Sequence, residues 1–245
     1  MHKKKPISIS RFKRAIRRLK RHAQGYSHHQ TLRRLSSVGF TPDIVYDIGA
    51  HTSTWTKLAR RTFPNSEFVL FEANPHLEPA LAVMGERYFI VALSDTDGGQ
   101  RTFHLPINPE VSTTGGSFFG ASRSASAEIG ASDIQVKTSR LDTLQSVNGL
   151  PLPALIKLDV EGAELEVLLG GRDLLRSCSA IIAELTFVRN DGAPLAHEVM
   201  KGIYDLGFLL VDLCKIRRTA ALGDVCQIDA LFVNKPLYDT FRLRS

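Results

Sequence analysis

Ile44-Val45-Tyr46-Asp47-Ile48-Gly49-Ala50-His51 is the stretch that decides how this chain is read. A short apolar run stops at a glycine, and Trp55, Leu58, Ala59 and Phe63 then recur at helical spacing up to Pro64-Asn65. The unit repeats at once: Phe68-Val69-Leu70-Phe71 is closed by Glu72-Ala73-Asn74-Pro75, Leu77, Leu81 and Met84 suit a helix, and Tyr88 to Leu93 suits a strand. Further on, Leu155-Ile156-Lys157-Leu158-Asp159 leads into a helix through Ala163, Val167 and Leu168 to Gly170-Gly171. Ala180-Ile181-Ile182-Ala183-Glu184, a helix from about His197 to Leu206, and strands over Phe208–Asp212 and Ile228–Val233 complete the pattern. Strands that are apolar at every position are buried on both faces, and their alternation with helices predicts an α/β fold with a largely parallel sheet.

In such a sheet, ligands bind beyond the carboxyl ends of the strands. Acidic residues stand at several of those ends: Asp47, Glu72, Asp95, Asp159 and Glu184. Gly49 lets the chain turn sharply and approach a ligand closely. Glu72, at the end of the next strand, is placed for its carboxylate to accept hydrogen bonds from both hydroxyls of a ribose. A dinucleotide turn needs Gly-x-Gly-x-x-Gly so that a pyrophosphate can sit on a helix N-terminus. Here Gly49-Ala50-His51-Thr52-Ser53 lacks the second and third glycines. Asp47, just before the turn, would repel a diphosphate and suits a cationic sulfonium with an α-amino group. Asp159 and Glu184 together also offer oxygen ligands of the kind Mg²⁺ takes.

The 245 residues suffice for one α/β domain with a sizeable core. No run of about 18 apolar residues appears, and the basic N-terminus has no apolar segment of signal-peptide type behind it. Cys178, Cys214 and Cys226 are odd in number and lack CxxC spacing, which fits a reducing compartment and a cytoplasmic location and speaks against a zinc site. The net charge of +6 hides an asymmetry: residues 1–42 carry twelve basic and no acidic side chains, so the remainder has 19 basic against 25 acidic. Residues 1–40 therefore read as a basic arm and 41–245 as the domain. Within the arm Ile9, Phe12, Ile16, Leu19 and Ala23 form one apolar stripe on a basic helix. Such a helix docks on the acidic body or lies on an anionic membrane surface through residues 1–35, peripherally at the inner face of the membrane. Nucleic acid is disfavoured, because no aromatic residues interleave the charges. Residues 112–132, rich in Ser, Gly, Ala and Thr, read as an acceptor-binding lid or a surface insert.

Val45-Tyr46-Asp47-Ile48-Gly49-Ala50-His51, Phe71-Glu72-Ala73-Asn74-Pro75, Ala92-Leu93-Ser94-Asp95 with Gly98, and Leu141-Asp142 together resemble the FkbM family of methyltransferases. The most specific piece is Ile156-Lys157-Leu158-Asp159-Val160-Glu161-Gly162-Ala163-Glu164, and the resemblance spans roughly residues 44–235. It implies a Rossmann-like class I methyltransferase: a mostly parallel seven-stranded sheet, helices on both faces and an antiparallel final strand. The implied cofactor is S-adenosylmethionine, and the implied reaction is transfer to a hydroxyl of a sugar, polysaccharide unit or natural product. By the same resemblance Asp47, Gly49 and Ala50 line the methionine and ribose side, Glu72 takes the ribose hydroxyls, and Ser94 or Asp95 lies near the adenine. Asp159 faces the methyl group and holds the acceptor or accepts its proton. The family more often has Asn where His51 stands and Gly where Ser53 stands; His51 can replace Asn toward the methionine end.

Glu161 and Glu164 also read as first-turn acids favoured by a helix dipole. His104 and His197, without visible partners, read as structural or exposed. Two rival readings remain at this level: a nicotinamide-dependent oxidoreductase on a similar sheet, and a non-catalytic cofactor-binding or scaffold protein.

Overall fold

A computed structural model describes residues 27–106, 131–188, 192–219 and 222–243. The apolar stretches become strands β1 (Ile44–Ile48), β2 (Glu67–Glu72), β3 (Arg87–Ile90), β4 (Ala92–Leu93), β5 (Gln100–Pro106), β6 (Ala131–Ser139), β7 (Leu155–Leu158), β8 (Ala180–Thr186), β9 (Phe208–Arg218) and β10 (Val225–Asn234). Around them lie α1 (His28–Ser37), α2 (Thr54–Thr62), α3 (Glu78–Ala82), α4 (Leu141–Asn148), α5 (Glu164–Gly170), α6 (Arg172–Leu175), α7 (Ala196–Asp205) and α8 (Lys235–Leu243). The main sheet has seven strands in the order β3-β2-β1-β7-β8-β10-β9. β1, β2, β3, β7 and β8 pair in parallel, and β10 runs antiparallel to both β8 and β9. This is the Rossmann-like, mostly parallel seven-stranded sheet that the family resemblance implies.

Side chains alternate across a strand, so each strand feeds two cores. Tyr46, Ile48, Ile156, Leu158, Ile181 and Ala183 pack on one face, against the α5 and α7 side. Val45, Leu155, Ile182 and Leu231 pack on the other, against α1 and α2. The expected single strand from Tyr88 to Leu93 is divided at Val91. β3 stays in the main sheet, whereas β4 joins β6 and β5 in a second, three-stranded sheet. That small sheet buries Phe103, Leu105 and Val136 with Ala92.

The boundary of the arm moves. Leu32 and Leu35 of α1 are fully buried beside Trp55, Leu70 and Leu231. The packed body therefore begins no later than Ser27, not at residue 41. Removing residues 1–35 would excise two core leucines, so a test of the arm must stop at residue 26. Leu32→Ala should lower stability by about 2–5 kcal/mol, the usual cost of emptying a buried leucine site; chemical unfolding reads this, and an unchanged midpoint would place α1 outside the cooperative core. The stripe from Ile9 to Ala23, and all but the end of the 112–132 segment, lie outside the described residues. Among the described residues no helix is long and apolar enough to cross a membrane.

Candidate active site

Gly49 holds the centre of the site together. Its φ of +79° lies in the left-handed region, and a Cβ there would meet the backbone oxygen of Asp159 at 1.7 Å. The turn after β1 thus sits directly against the end of β7, which only glycine allows. Gly49 N and Ala50 N both donate to the carbonyl of Phe71, at 2.9 and 3.0 Å, tying the same turn to the end of β2. Three strand ends converge, and a cavity of about 660 Å³ opens above them. Its apolar wall includes Ile48, Phe71, Val91, Ala92, Leu93 and Phe103; its polar wall includes Glu72, Lys157, Asp159, Glu161 and Asp229.

Glu72 closes one side. Its Oε2 accepts the amide of His51 at 2.8 Å and its Oε1 the amide of Asn74 at 2.9 Å. Each carboxylate oxygen can accept a second hydrogen bond, so two positions remain for a ligand diol. Burial raises the pKa of this group, and the two amide donors oppose the rise. Ala50 and His51 also line the cavity.

The turn holds two residues in a conformation that L side chains seldom adopt: His51 at φ 49° and Ser53 at φ 58°. Asn and Gly, the residues the family more often carries at these positions, tolerate that region best. Ser53 is fully buried and its hydroxyl has no hydrogen-bond partner. Ser53→Gly should therefore raise stability by about 1 kcal/mol, by relieving left-handed strain and removing an unsatisfied hydroxyl. Thermal unfolding checks this; a lower transition temperature would show that the Ser53 side chain contributes packing that outweighs both.

Asp47 occupies a different place from the one expected. It is fully buried, is not among the residues lining the cavity, and accepts the Thr56 hydroxyl at 2.5 Å. The reason is the strand period: Asp47 alternates with Tyr46 and Ile48 and so points under α2. On that face its register partner on β7 is Lys157. Lys157 Nζ lies 2.8 Å from Asp159 Oδ2 and 3.8 Å from Asp47 Oδ1, and Asp47 Oδ1 makes no hydrogen bond. Burial works to lower the Lys157 pKa, but Asp159 and Asp47 overcome it and the ammonium is held charged. Burial likewise pushes Asp159 up, and Lys157 outweighs it, so Asp159 stays anionic on the cavity wall. Asp47 acts on the site from beneath, through Lys157.

The same face carries a row of charges across the strand ends. Asp229 of β10 is opposite Glu184 of β8 on one side and Lys215 of β9 on the other. Glu184, expected beside Asp159 at the chemistry, is buried and does not itself line the cavity. Burial, then the charges of Asp159 and Glu161, push its pKa up to about 10, so it carries its proton at neutral pH. It backs the cavity wall behind Asp159 and Glu161. Glu161 does line the cavity, in a left-handed conformation at φ 53°. Glu164 is buried, and its Oε1 accepts the amides of Val160 at 3.1 Å and Gly162 at 3.3 Å, bracing the loop that carries Asp159 and Glu161.

Ser94 and Asp95 are also displaced from their expected role. Ser94 is buried and donates to Glu166 at 3.0 Å, while Asp95 is exposed. Val91, Ala92 and Leu93, just before them, line the cavity instead. A contributor absent from the sequence reading is His28, at the start of α1, which also lines the cavity. Trp55 Nε1 donates to His28 Nδ1 at 3.2 Å, and indole can only donate, so Nδ1 is the accepting nitrogen. Nε2 then donates to Asp229 at 2.5 Å. One tautomer is fixed, and α1 is fastened to β10 at the cavity.

A model of the FkbM methyltransferase domain matches residues 47–210. No curated protein matches the sequence. Solved structures similar to the chain include precorrin-6y C5,15-methyltransferase from Geobacter metallireducens GS-15, at 14% identity over 83% of this chain and 84% of that one, with a TM-score of 0.42. The N-terminal domain of EvdMO1, crystallised in the presence of S-adenosylhomocysteine and D-fucose, is 11% identical over 85% and 83%, with a TM-score of 0.45. N-methyltransferase NodS from Bradyrhizobium japonicum WM9 is 10% identical over 84% and 93%, also with a TM-score of 0.45. The matched span contains the Gly49 turn, Glu72 and the whole Ile156–Glu164 motif, and the chain belongs to the FkbM family of S-adenosylmethionine-dependent methyltransferases.

Proposed function

We propose that this methyltransferase acts on a hydroxyl oxygen of a sugar, polysaccharide unit or natural product. The observation that carries the reading is the pair of carboxylates, Asp159 and Glu161, on the cavity wall. Carboxylates accept hydrogen bonds from hydroxyls, and two of them side by side suit neighbouring hydroxyls of a polyol. When bound, S-adenosylmethionine supplies a methyl group on a positively charged sulfur. The residues that fit it are the Gly49-Ala50 turn, whose glycine leaves no side chain at the crowded centre, and Glu72, with two accepting positions free for the ribose diol. The slot between Phe71, Val91, Ala92 and Leu93 is apolar, as an adenine face requires.

The chain's own work is then positional. Asp159, kept anionic by Lys157, orients the acceptor hydroxyl toward the reacting side of the turn, and positioning of this kind supplies much of the rate. Glu161 is the second carboxylate in reach of the departing proton. Methyl-labelled S-adenosylmethionine, the full chain and a panel of mono- and oligosaccharides with amine controls test the reading by NMR of the product. A methoxy carbon is expected; label found only on nitrogen or carbon would refute it.

A second reading has a specific observation behind it. Asp159, Glu161 and Glu184 offer one oxygen each, all within 4.8 Å of one another, a spacing that a divalent cation can bridge. If Mg²⁺ works there, turnover vanishes on dialysis against EDTA and returns with the metal. Unchanged turnover leaves Lys157 as the cation that serves Asp159. For the arm, salt-sensitive association with anionic liposomes is expected of the full chain and not of a chain lacking residues 1–26.

A further inference from the structure

On an acidic body, the cavity gathers cations that the reaction described above does not use. Helix α2 turns one stripe toward the cavity: Thr54, Lys57, Leu58 and Arg61 all line it. Lys57 and Arg61 are one turn apart, exposed, and without a carboxylate partner among the described residues. Arg60 between them shows the contrast. Its guanidinium pairs with Glu86 and stacks on Phe68, so its charge serves the fold. Of the acids on the cavity wall, Glu72 is bonded to two amides, Asp159 to Lys157 and Asp229 to His28, and Glu161 stands in the field of Lys157, Lys215 and Arg217. Lys157 and Lys215 are held by Asp159 and Asp229, and Lys57 and Arg61 are the lining cations to which no carboxylate is paired among the described residues.

Helix physics does not account for it. A cation in the last turn, like Arg61, is favoured by the helix dipole, but Lys57 stands near the positive end, where a cation is disfavoured. The first turn of α2 contains no acidic residue to offset it, and like charges four apart on a helix repel. Among the described residues the polar contact of Lys57 is a long one, Nζ to the carbonyl of Thr52 at 3.4 Å, within the turn after β1. An ammonium and a guanidinium on one cavity-facing stripe, next to Asn74, form a place where carboxylate or phosphate oxygens are held.

We propose that Lys57 and Arg61 form an oxyanion subsite of the cavity, taking a carboxylate or phosphate group of a bound ligand. That chemistry has two sources here, the α-carboxylate of the cofactor and an acidic group on the acceptor. The inference depends on the methyltransferase assignment only for the first source, and on the hydroxyl-acceptor reading for neither.

Calorimetry on the full chain and on K57A/R61A tests it with three kinds of probe. S-adenosylhomocysteine is compared with 5′-methylthioadenosine, which keeps the nucleoside and lacks the amino-acid part. With S-adenosylhomocysteine bound, trigalacturonate is compared with the neutral galactose trimer, and glucose 6-phosphate with glucose. If the cofactor is the source, the double variant weakens S-adenosylhomocysteine about tenfold or more and leaves 5′-methylthioadenosine unchanged. If the acceptor is the source, cofactor affinity is unchanged, and salt-sensitive binding of trigalacturonate or glucose 6-phosphate to the wild type is lost in the variant. In either case K57R/R61K restores most of the affinity. The proposal is overturned if the variant binds every probe as the wild type does. It is equally overturned if S-adenosylhomocysteine and 5′-methylthioadenosine weaken together, which would report a distorted turn. Failure of 5′-methylthioadenosine to bind the wild type would instead count against the cofactor site, a separate result.

Discussion

Gly49→Ala should abolish binding of S-adenosylhomocysteine and destabilise the protein at the same time. The added methyl carbon would lie 1.7 Å from the Asp159 carbonyl oxygen, which is backbone and cannot rotate away. Either the β1 turn lifts from the end of β7 or β7 shifts, and both movements break the convergence of strand ends on which the cavity is built. The φ of +79° adds left-handed strain to the collision. Together these should cost roughly 2–5 kcal/mol of stability. Calorimetry and chemical unfolding read the two losses separately. A Gly49→Ala protein that binds the product cofactor normally would mean that the turn and β7 are not packed as described.

Glu72→Ala should produce the second largest effect, and chiefly on binding. Two ligand hydrogen bonds to a charged acceptor are worth about 2–3 kcal/mol together in a partly wet site, or roughly 30- to 150-fold in affinity. The amides of His51 and Asn74 lose their acceptor as well, so a smaller loss of stability accompanies it. Glu72→Gln should fall between the two, because an amide has one accepting oxygen where the carboxylate has two. Affinity for adenine alone, which lacks the diol, should change little. Equal losses for adenine and for S-adenosylhomocysteine would remove Glu72 from the ribose.

How much of this was legible beforehand follows from what each residue's signal depends on. The parallel sheet was readable because its strands are apolar at nearly every position and end near Gly or an acid. The placement of Gly49 and Glu72 at the cavity was readable because it follows from position along the strand. Asp47 was found but assigned to the cavity, since a strand end does not reveal which face the last side chain takes; the alternation that puts Tyr46 in one core sends Asp47 under α2. Lys157 carried a signal that went unused, a lysine inside an apolar strand, which is seldom buried without a charged partner. Val91 to Leu93 line the cavity and Ser94 and Asp95 do not, and the break at Val91, which moves β4 into the second sheet, leaves no mark in the hydrophobic pattern. His28 could not be reached at all: it is 201 residues from Asp229 in sequence, and only folding brings them together. β5 and β6 did leave a trace, the alternation Phe103-His104-Leu105 and Ile134-Gln135-Val136, too short to stand out beside the irregular segment between them.

The cavity between the Gly49 turn and Glu72 is expected to hold S-adenosylmethionine with its reacting end toward Asp159. A crystal structure of the full chain with S-adenosylhomocysteine tests it most directly. Both ribose hydroxyls are expected on the carboxylate oxygens of Glu72, the adenine against Phe71, Ala92 and Leu93, and the sulfur on the side of Asp159 and Glu161. A ribose diol bonded elsewhere, or product cofactor bound outside this cavity, would contradict it.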